Sequence, residues 1–109
     1  MPKDRPQDDK ESGVSTVTRP EKKLKRPTLY KVLFHNDDYT TREFVVFVLQ
    51  TVFYHDEAAA TRIMWLVHTT GIGVAGVYTY EIAEMKARKV EALARESEYP
   101  LRVSVEPEE

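Results

Sequence analysis

The amino-acid sequence predicts an α+β fold: one domain in which a three-stranded sheet is covered by three helices, in the order β-α-α-β-α-β. Three observations support this fold class. Short segments rich in β-branched and aromatic residues alternate with longer segments in which apolar residues recur at helical spacing. A residue able to cap a helix precedes each of the longer segments. The length of 109 residues suits a single domain.

The first half of the domain is predicted to contain one strand and two helices. Residues 28–35, "TLYKVLFH", are typical of a strand, and "NDDY" predicts a turn because Asn and Asp bond their own backbone. Thr40 and Glu43 have the spacing of a capping box, which predicts the first helix. Asp56 predicts the start of the second helix and Gly71 its end. The apolar residues expected to face the core are Phe44, Val45, Phe47, Val48, Leu49, Val52, Phe53, Ile63, Met64, Leu66 and Val67.

The second half is predicted to contain a strand, a long helix and a final strand. Val74 to Tyr78 form the strand, and Thr79 caps a helix from about Tyr80 to Ser97. Pro100 ends any helical continuation, and "LRVSV" alternates with period two, which predicts a strand. The core residues expected here are Ile82, Ala83, Val90, Leu93, Ala94, Leu101, Val103 and Val105.

Charge and composition divide the chain after residue 26. Residues 1–26 hold eight Lys or Arg against five acids and few apolar residues, whereas residues 27–109 hold eight against thirteen. We therefore predict a disordered N-terminal extension over residues 1–26 and a folded domain over residues 27–109. The basic cluster "RPEKKLKRP" is expected to be solvated. An acidic domain argues against nucleic-acid binding, because phosphate recognition needs a basic face.

The cellular compartment is inferred from what the sequence lacks. There is no cysteine, which excludes a disulfide framework, a thiolate metal site and a cysteine nucleophile. The N-terminus has no signal-peptide pattern, and no segment approaches the roughly 18 apolar residues of a membrane span. We expect a soluble protein of the cytoplasm that carries no cofactor.

The loop "HNDDYTTREF" contains two adjacent acids, Asp37 and Asp38, that suggest chemistry. A general acid and base pair is disfavoured because no lysine or serine nearby completes a catalytic arrangement. A metal site would draw on the two acids and on the histidines His35, His55 and His68. Their spacing matches neither a zinc motif nor a calcium loop, so we expect no metal site.

Two other interpretations of the loop remain open on local sequence. Asn36 and Asp38 can shape the turn and cap the helix that begins at Thr40, which explains one acid but not the second. Alternatively, the loop binds a cation such as a peptide α-amino group, which is mostly protonated near neutrality. An Asn carbonyl, an Asp carboxylate and a histidine nitrogen would match its three N–H donors. For His68 taken alone, the sequence favours a partly buried histidine at the end of a helix over a binding role.

Four separated motifs resemble the ClpS family, the bacterial adaptors of the N-end rule. They lie within residues 28–106 in the order "LYKVLFHNDDYTTREFVVFVLQ", "ATRIMWLVH", "GVYTYEIAEMK" and "YPLRVSVE". The resemblance implies an α/β sandwich with a flexible N-terminal extension, and an adaptor rather than an enzyme. It also implies a monomer that binds N-degron proteins beginning with Phe, Tyr, Trp or Leu and delivers them to ClpA, the unfoldase of the ClpAP protease.

The resemblance also implies roles for individual residues. Asn36, Asp38 and His68 would hold the substrate α-amino group, and Asp37 would contact the substrate backbone. Glu81 and Lys86 would dock on the N-terminal domain of ClpA. The residues that would line the side-chain pocket are Thr40, Arg42, Val45, Met64, Val67 and Leu101.

One departure from the family pattern concerns specificity. The family usually has "NDDYTPMEF", in which the methionine is a pocket wall, whereas this chain has Thr41 and Arg42. The apolar stem of arginine can replace that wall, and its charge can weaken capture of an ammonium group. We therefore expect a shifted side-chain preference. Trp65 and Ala75 also differ from common family residues and are expected to affect packing more than recognition; such divergence would fit a specialised second copy.

Two alternative functions follow from these residues and this fold. If Arg42 blocks the pocket, the chain would be a regulator that docks on ClpA without delivering substrates. A similar sandwich occurs in the C-terminal domain of the ribosomal stalk protein, so the fold alone also allows a factor-docking module. The acidic loop argues against the second alternative, because that domain has no such motif.

Overall fold

The computed structural model of the protein describes residues 26–108 and confirms the predicted order of elements. The strands and helices are β1 (Tyr30–His35), α1 (Arg42–Thr51), α2 (Glu57–Thr70), β2 (Ile72–Tyr78), α3 (Tyr80–Glu96) and β3 (Arg102–Pro107). The predicted N-terminal extension, apart from Arg26, lies outside the described residues, and its disorder stays a prediction. None of the helices in residues 26–108 is long and apolar enough to cross a bilayer.

The sheet is antiparallel, and β1 lies between the two other strands in the order β2-β1-β3. Val32 and Phe34 of β1 are fully buried and pair with Val105 and Val103 of β3. The alternation of β1 therefore directs these two side chains towards the helices, where they form the centre of the core.

A β-bulge in β2 links the sheet to the segment before α2. Val32 pairs with Gly76 and Leu33 with Val74, so Ala75 has no partner on β1. The carbonyl of Ala75 accepts a hydrogen bond from Nε2 of His55 at 2.6 Å. The bulge thus anchors the start of α2 to the sheet.

The three helices are packed by small residues and by one close helix–strand approach. α3 crosses all three strands through Ala83, Ala87 and Ala94, whose small side chains are buried. α1 packs on α2, and α2 lies along β2. At Gly73 a Cβ atom would lie 2.7 Å from Cγ2 of Val67, so the distance between α2 and β2 requires glycine at this position.

The observed N-cap residue is the predicted one at α2 and a different one at α1. Asp56 accepts a bond from the backbone N–H of Ala59 at 2.8 Å, as predicted. The prediction that Thr40 caps α1 was wrong: Thr41 is the N-cap and accepts from Phe44 N–H at 3.1 Å. Thr40 instead donates its hydroxyl to a carboxylate in the loop, which leaves the next threonine to cap the helix.

Gly71 ends α2 and holds the loop that follows β1. Its φ of 94° lies in the left-handed region that glycine was predicted to supply, and its N–H donates to Val67 O. Its carbonyl accepts a hydrogen bond from the backbone N–H of Asn36 at 2.9 Å. The end of α2 and the beginning of the loop are therefore adjacent. Between β2 and α3, Thr79 is at the N-cap of α3 as predicted, but its side chain makes no capping bond.

The core differs from the predicted one at residues whose exposure depends on tertiary packing. Phe47, Leu66 and Ile82 were expected inside but are 50%, 49% and 40% exposed. α1 and α2 each cover the core with one face only, so their apolar stripes are wider than their buried faces. The small residues Ala60 and Ala87 are buried although the sequence did not single them out. The predicted core residues that are only half-buried are Phe44, Ile63, Leu93 and Val105.

Substituting Gly73→Ala is expected to lower the free energy of unfolding by about 1 to 3 kcal/mol, because the new methyl group meets Val67. Urea denaturation at constant temperature measures this loss. The control is the same substitution in a Val67→Ala background, which removes the clashing atom. The loss of stability in the double variant should therefore be smaller than the sum of the losses in the two single variants. Strict additivity would show that the α2–β2 distance does not depend on this contact.

Candidate functional site

An open cavity of 590 Å³ lies among the loop after β1, the N-terminus of α1 and the second half of α2. This volume is in the range of small-ligand sites. The loop supplies polar groups, and the buried side chains of Val45, Met64 and Val67 supply an apolar floor. The lining residues are Asn36, Asp37, Asp38, Tyr39, Thr40, Thr41, Arg42, Glu43, Val45, Met64, Val67 and His68.

Nine of the ten residues predicted for substrate binding line this cavity. The tenth, Leu101, does not. It is buried just before β3 and borders a shallow surface pocket with Ala94 and Tyr99. It belongs to the same buried cluster as the floor residues Val45, Met64 and Val67. Its predicted role in the side-chain pocket stays a prediction.

Asp37 folds the loop through three hydrogen bonds. Its Oδ1 accepts from the backbone N–H groups of Tyr39 and Thr40, each at 2.7 Å, and its Oδ2 accepts from the hydroxyl of Thr40 at 2.7 Å. The residues predicted to shape the turn were Asn36 and Asp38, so this prediction was wrong by one position. Aspartate side chains commonly make this type of turn with their own backbone.

The hydrogen bonds also determine the charge of Asp37. Partial burial acts to raise the pKa of its carboxyl group, but the bonds from Thr40 and Tyr39 together outweigh burial and hold the pKa below its ordinary value of 3.8. The carboxylate is therefore ionised at neutral pH. A negatively charged acceptor makes each of the three bonds stronger than its neutral equivalent.

Asn36, Asp38 and His68 lie at the mouth of the same cavity with exposed side chains. Within residues 26–108, the side chains of Asn36 and Asp38 have no intramolecular hydrogen-bond partner. The bond between Asn36 N–H and Gly71 O brings the loop to the end of α2, three residues after His68. An amide, a carboxylate and an imidazole are thereby available together, which is a suitable acceptor set for a small cation with several N–H donors.

Arg42, Trp65 and His68 form a continuous row at one edge of the cavity. The guanidinium carbon of Arg42 lies 5.1 Å from the centroid of the Trp65 ring, and the rings of Trp65 and His68 are 5.6 Å apart in an edge-on arrangement. Trp65 is 44% exposed. The structure thus places Trp65 beside two cavity residues, and the expectation that it affects packing more than recognition stays a prediction. Ala75, by contrast, is fully buried in the core as expected.

Sequence reasoning missed four residues of this region, namely Tyr39, Thr41, Glu43 and Trp65. The first three lie within the loop and the first turn of α1, so they follow directly from the position of the cavity. The signal for Trp65 was its i, i+3 spacing from His68 on α2, which places the two on one face.

The remaining histidines form hydrogen bonds with residues that do not line the cavity. His35 forms a hydrogen bond with Ser104 at 2.7 Å, between Nε2 and the hydroxyl oxygen, and His55 bonds the carbonyl of Ala75. In the part of the chain that the structure describes, no three His, Asp or Glu side chains are grouped so as to hold a metal ion. Of the five residues considered for a metal site, Asp37, Asp38 and His68 line the cavity, whereas His35 and His55 do not.

The two residues predicted to dock on a partner lie on α3. Glu81 is exposed in the first turn. Lys86 is half-buried: its Nζ donates to Val52 O at 2.7 Å and lies 5.0 Å from the ring centroid of Tyr54 and 5.2 Å from that of Tyr78. Lys86 therefore joins α3 to the end of α1 in addition to any role at the surface.

Comparisons with known proteins identify the family. A family model described as "ATP-dependent Clp protease adaptor protein ClpS" matches residues 25–104. The chain belongs to the ClpS family. A Myxococcus xanthus ATP-dependent Clp protease adapter protein ClpS is 59% identical over 99 residues, which are 91% of this chain and 92% of the relative. The ClpS of Hyphomonas neptunium is 49% identical over 102 residues, 94% of this chain and 86% of the relative.

A solved structure of another ClpS protein agrees with the fold. Agrobacterium tumefaciens ClpS2, bound to L-phenylalaninamide, superposes with a TM-score of 0.73 at 46% sequence identity and covers 76% of this chain and 100% of its own. The predicted family and fold class are confirmed. As a ClpS protein, the chain is an adaptor of the Clp protease and not an enzyme.

Substituting Asp37→Ala is expected to lower the free energy of unfolding at pH 7 by about 1 to 2 kcal/mol, because three hydrogen bonds are lost at a partly exposed site. The folded-state pKa of Asp37 is lowered, so its contribution is present above the ordinary value of 3.8 and is lost as the pH falls through the lowered pKa. The difference between wild type and variant should therefore decrease in acid, as measured by urea denaturation at several pH values.

The matched control for this prediction is Asp38→Ala, which removes the neighbouring acid. Because the Asp38 carboxylate has no bond to another residue of the described domain, the free energy of unfolding should change by less than about 0.5 kcal/mol. Equal losses from the two substitutions would contradict the assignment of the turn to Asp37.

Proposed function

We propose that this ClpS protein binds the free α-amino group and the bulky first side chain of N-degron substrates beginning with Phe, Tyr, Trp or Leu. It then delivers them, as a cytoplasmic monomer, to the ClpA unfoldase of the ClpAP protease. The observation that carries the proposal is the combination of acceptors at the cavity mouth, Asn36, Asp38 and His68, with an apolar floor below them. L-phenylalaninamide, the ligand of the related ClpS2, has a free amine next to a benzyl group.

The α-amino group is recognised as an ammonium ion. Its pKa of about 8 keeps it mostly protonated near neutrality, and it offers three N–H donors. The carbonyl of Asn36, the carboxylate of Asp38 and an unprotonated ring nitrogen of His68 accept one bond each. Each charge-assisted bond contributes about 1.5 to 3 kcal/mol. The negative charge of Asp38 favours a positively charged ammonium group over a neutral ligand.

The carboxylate of Asp37 contributes to this site with one acceptor position that the loop does not use. Its two oxygens offer about four acceptor positions, of which the loop uses three. The remaining position is available for a backbone N–H of the substrate. Asp37 thus combines its hydrogen bonds within the loop with one contact to the ligand.

The apolar floor selects the first side chain. Val45, Met64 and Val67 are each less than a tenth exposed and present their side chains to the cavity. Burial of a Phe- or Leu-sized group there contributes roughly 1.5 to 3 kcal/mol. Arg42 lines the same cavity, but its guanidinium lies over Trp65, and 590 Å³ remains accessible. This open volume favours a binding pocket over a blocked one.

Delivery uses a second surface on α3. Glu81 is exposed there, and Ile82, Met85 and Tyr54 around Lys86 are 40%, 52% and 78% exposed. Large apolar side chains at the surface are typical of protein interfaces, and the two charged residues add a directional component. We assign this surface to the N-terminal domain of ClpA.

A fluorescent peptide with a free N-terminal Phe is expected to bind with micromolar affinity, measured by fluorescence polarisation. Acetylation of its amine should weaken binding at least about 100-fold, because it removes the charge and two donors. Asp38→Ala should have a comparable effect on the free-amine peptide. Equal affinities for the free and acetylated peptides would refute recognition of the ammonium group.

The substitution Arg42→Met distinguishes the proposed adaptor function from the alternative of a docking regulator. If no peptide binds to the wild type while it still associates with ClpA, and Arg42→Met restores binding, the chain is a regulator with a blocked pocket. The proposed adaptor instead requires that the wild type binds and that Arg42→Met changes only the order of preference among first residues.

Glu81→Ala is expected to weaken association with the isolated N-terminal domain of ClpA without loss of stability, as measured by calorimetry and urea denaturation. Lys86→Met should weaken association and also lower the free energy of unfolding by about 1 to 2 kcal/mol, because the bond to Val52 O is lost. Lys89→Ala, an exposed lysine on the same helix, is the control and should change neither quantity. Wild-type association of both Glu81→Ala and Lys86→Met would place the docking surface elsewhere.

A further inference from the structure

Trp65 contacts two residues of the candidate site without lining the cavity itself. Its ring lies under the guanidinium of Arg42 and edge-on to the imidazole of His68. We propose that Trp65 is a positioning residue: it fixes Arg42 as a rigid wall of the side-chain pocket and restricts the ring of His68. This inference rests on the proposed function, since it assigns selectivity within that site to a residue outside it.

The position of Trp65 is not explained by the core. The side chain is 44% exposed and is absent from the buried cluster that joins the helices to the sheet. Its distance of 5.1 Å from Arg42 is within the range of about 6 Å in which a cation over an aromatic face is attracted, and tryptophan provides the best face. Arg42 is the first residue of α1, so the stack also joins the start of α1 to α2.

A fixed arginine and a mobile one give different selectivity. An arginine free in solvent samples many rotamers, so its stem adapts to whichever side chain enters the pocket. Stacking on Trp65 removes part of that freedom, and the stem then presents one shape to the ligand. A rigid wall distinguishes the flat ring of Phe from the branched chain of Leu better than an adaptable wall does. Loss of the stack should therefore bring the affinities for the two side chains closer together.

The contact with His68 acts on all substrates alike. His68 is exposed, and the edge of the Trp65 ring limits the rotation of its imidazole. The imidazole binds the amine that every free N-terminus has. A less ordered imidazole should therefore lower the affinity for each peptide by a similar factor. Trp65 thus has two separable effects: a common factor through His68 and a selectivity factor through Arg42.

The test measures affinities of two free-amine peptides that differ only in their first residue, Phe or Leu. Trp65→Leu should move the ratio of the two dissociation constants towards 1 by a factor of about two to five, the range that cation–π pairs at exposed sites provide. Trp65→Phe, which keeps an aromatic face, should retain most of the wild-type ratio. Phe47→Leu, the control, removes another exposed aromatic residue from the neighbouring groove and should leave the ratio unchanged.

A double-mutant cycle assigns the selectivity effect to Arg42. If Trp65 acts through Arg42, Trp65→Leu has no further effect on the Phe-to-Leu ratio once Arg42→Met is present. Independent effects that multiply would overturn the proposal, as would an unchanged ratio in Trp65→Leu. If the wild type binds neither peptide, the proposed function fails and the selectivity role fails with it.

Tryptophan fluorescence tests the stack without a ligand. Trp65 is the only tryptophan in the chain, so emission reports on its surroundings alone. Arg42→Met should increase quenching by acrylamide because it uncovers one face of the ring, whereas Arg95→Met, on α3, should not change it. Unchanged quenching in Arg42→Met would disprove the stack itself, whether or not any peptide binds.

Discussion

The carboxylate of Asp37 is the group on which the geometry of the candidate site depends. It accepts three hydrogen bonds from the two residues that follow Asp38, and these bonds bend the chain between the central strand and α1. The backbone bond from Asn36 to Gly71 holds the other side of the bend against the end of α2. Between these two attachments, the side chains of Asn36 and Asp38 lie at the cavity mouth without a hydrogen-bond partner among residues 26–108. The geometry of the site thus depends on a carboxylate whose bonds are made within the protein.

The two adjacent acids therefore differ in their hydrogen bonds. Asp37 stays ionised because its hydrogen bonds favour the charged form, and the loop occupies most of its acceptor positions. Asp38 has no such bonds within the described domain, so its acceptors are available to the ligand that we propose. Arg42 lines the same cavity, and its guanidinium lies over the ring of Trp65. This position over the aromatic face is compatible with the proposed capture of an ammonium ion.

The order of the elements could be predicted from the sequence, because strand-like and helical periodicities alternate clearly and because Asp56 and Gly71 mark both ends of α2. The cap of α1 could not be predicted, since Thr40 and Thr41 are adjacent and the choice between them depends on which one bonds Asp37. The exposure of Phe47, Leu66 and Ile82 is decided by how far each helix is covered by its neighbours. Nine site residues followed from the family resemblance, but the contact between Arg42 and Trp65 joins two helices and has no local signature. Leu101 is buried in the same cluster as the cavity floor but does not line the cavity, so its predicted role is still to be tested.

A crystal structure of the protein with L-phenylalaninamide tests most directly whether the cavity recognises a free N-terminus. The ammonium nitrogen should lie about 2.7 to 3.2 Å from the carbonyl of Asn36, the carboxylate of Asp38 and a ring nitrogen of His68. The benzyl group should contact Val45, Met64 and Val67. An ammonium group in solvent, or a benzyl group bound outside this cavity, would contradict recognition of a free N-terminus by this cavity.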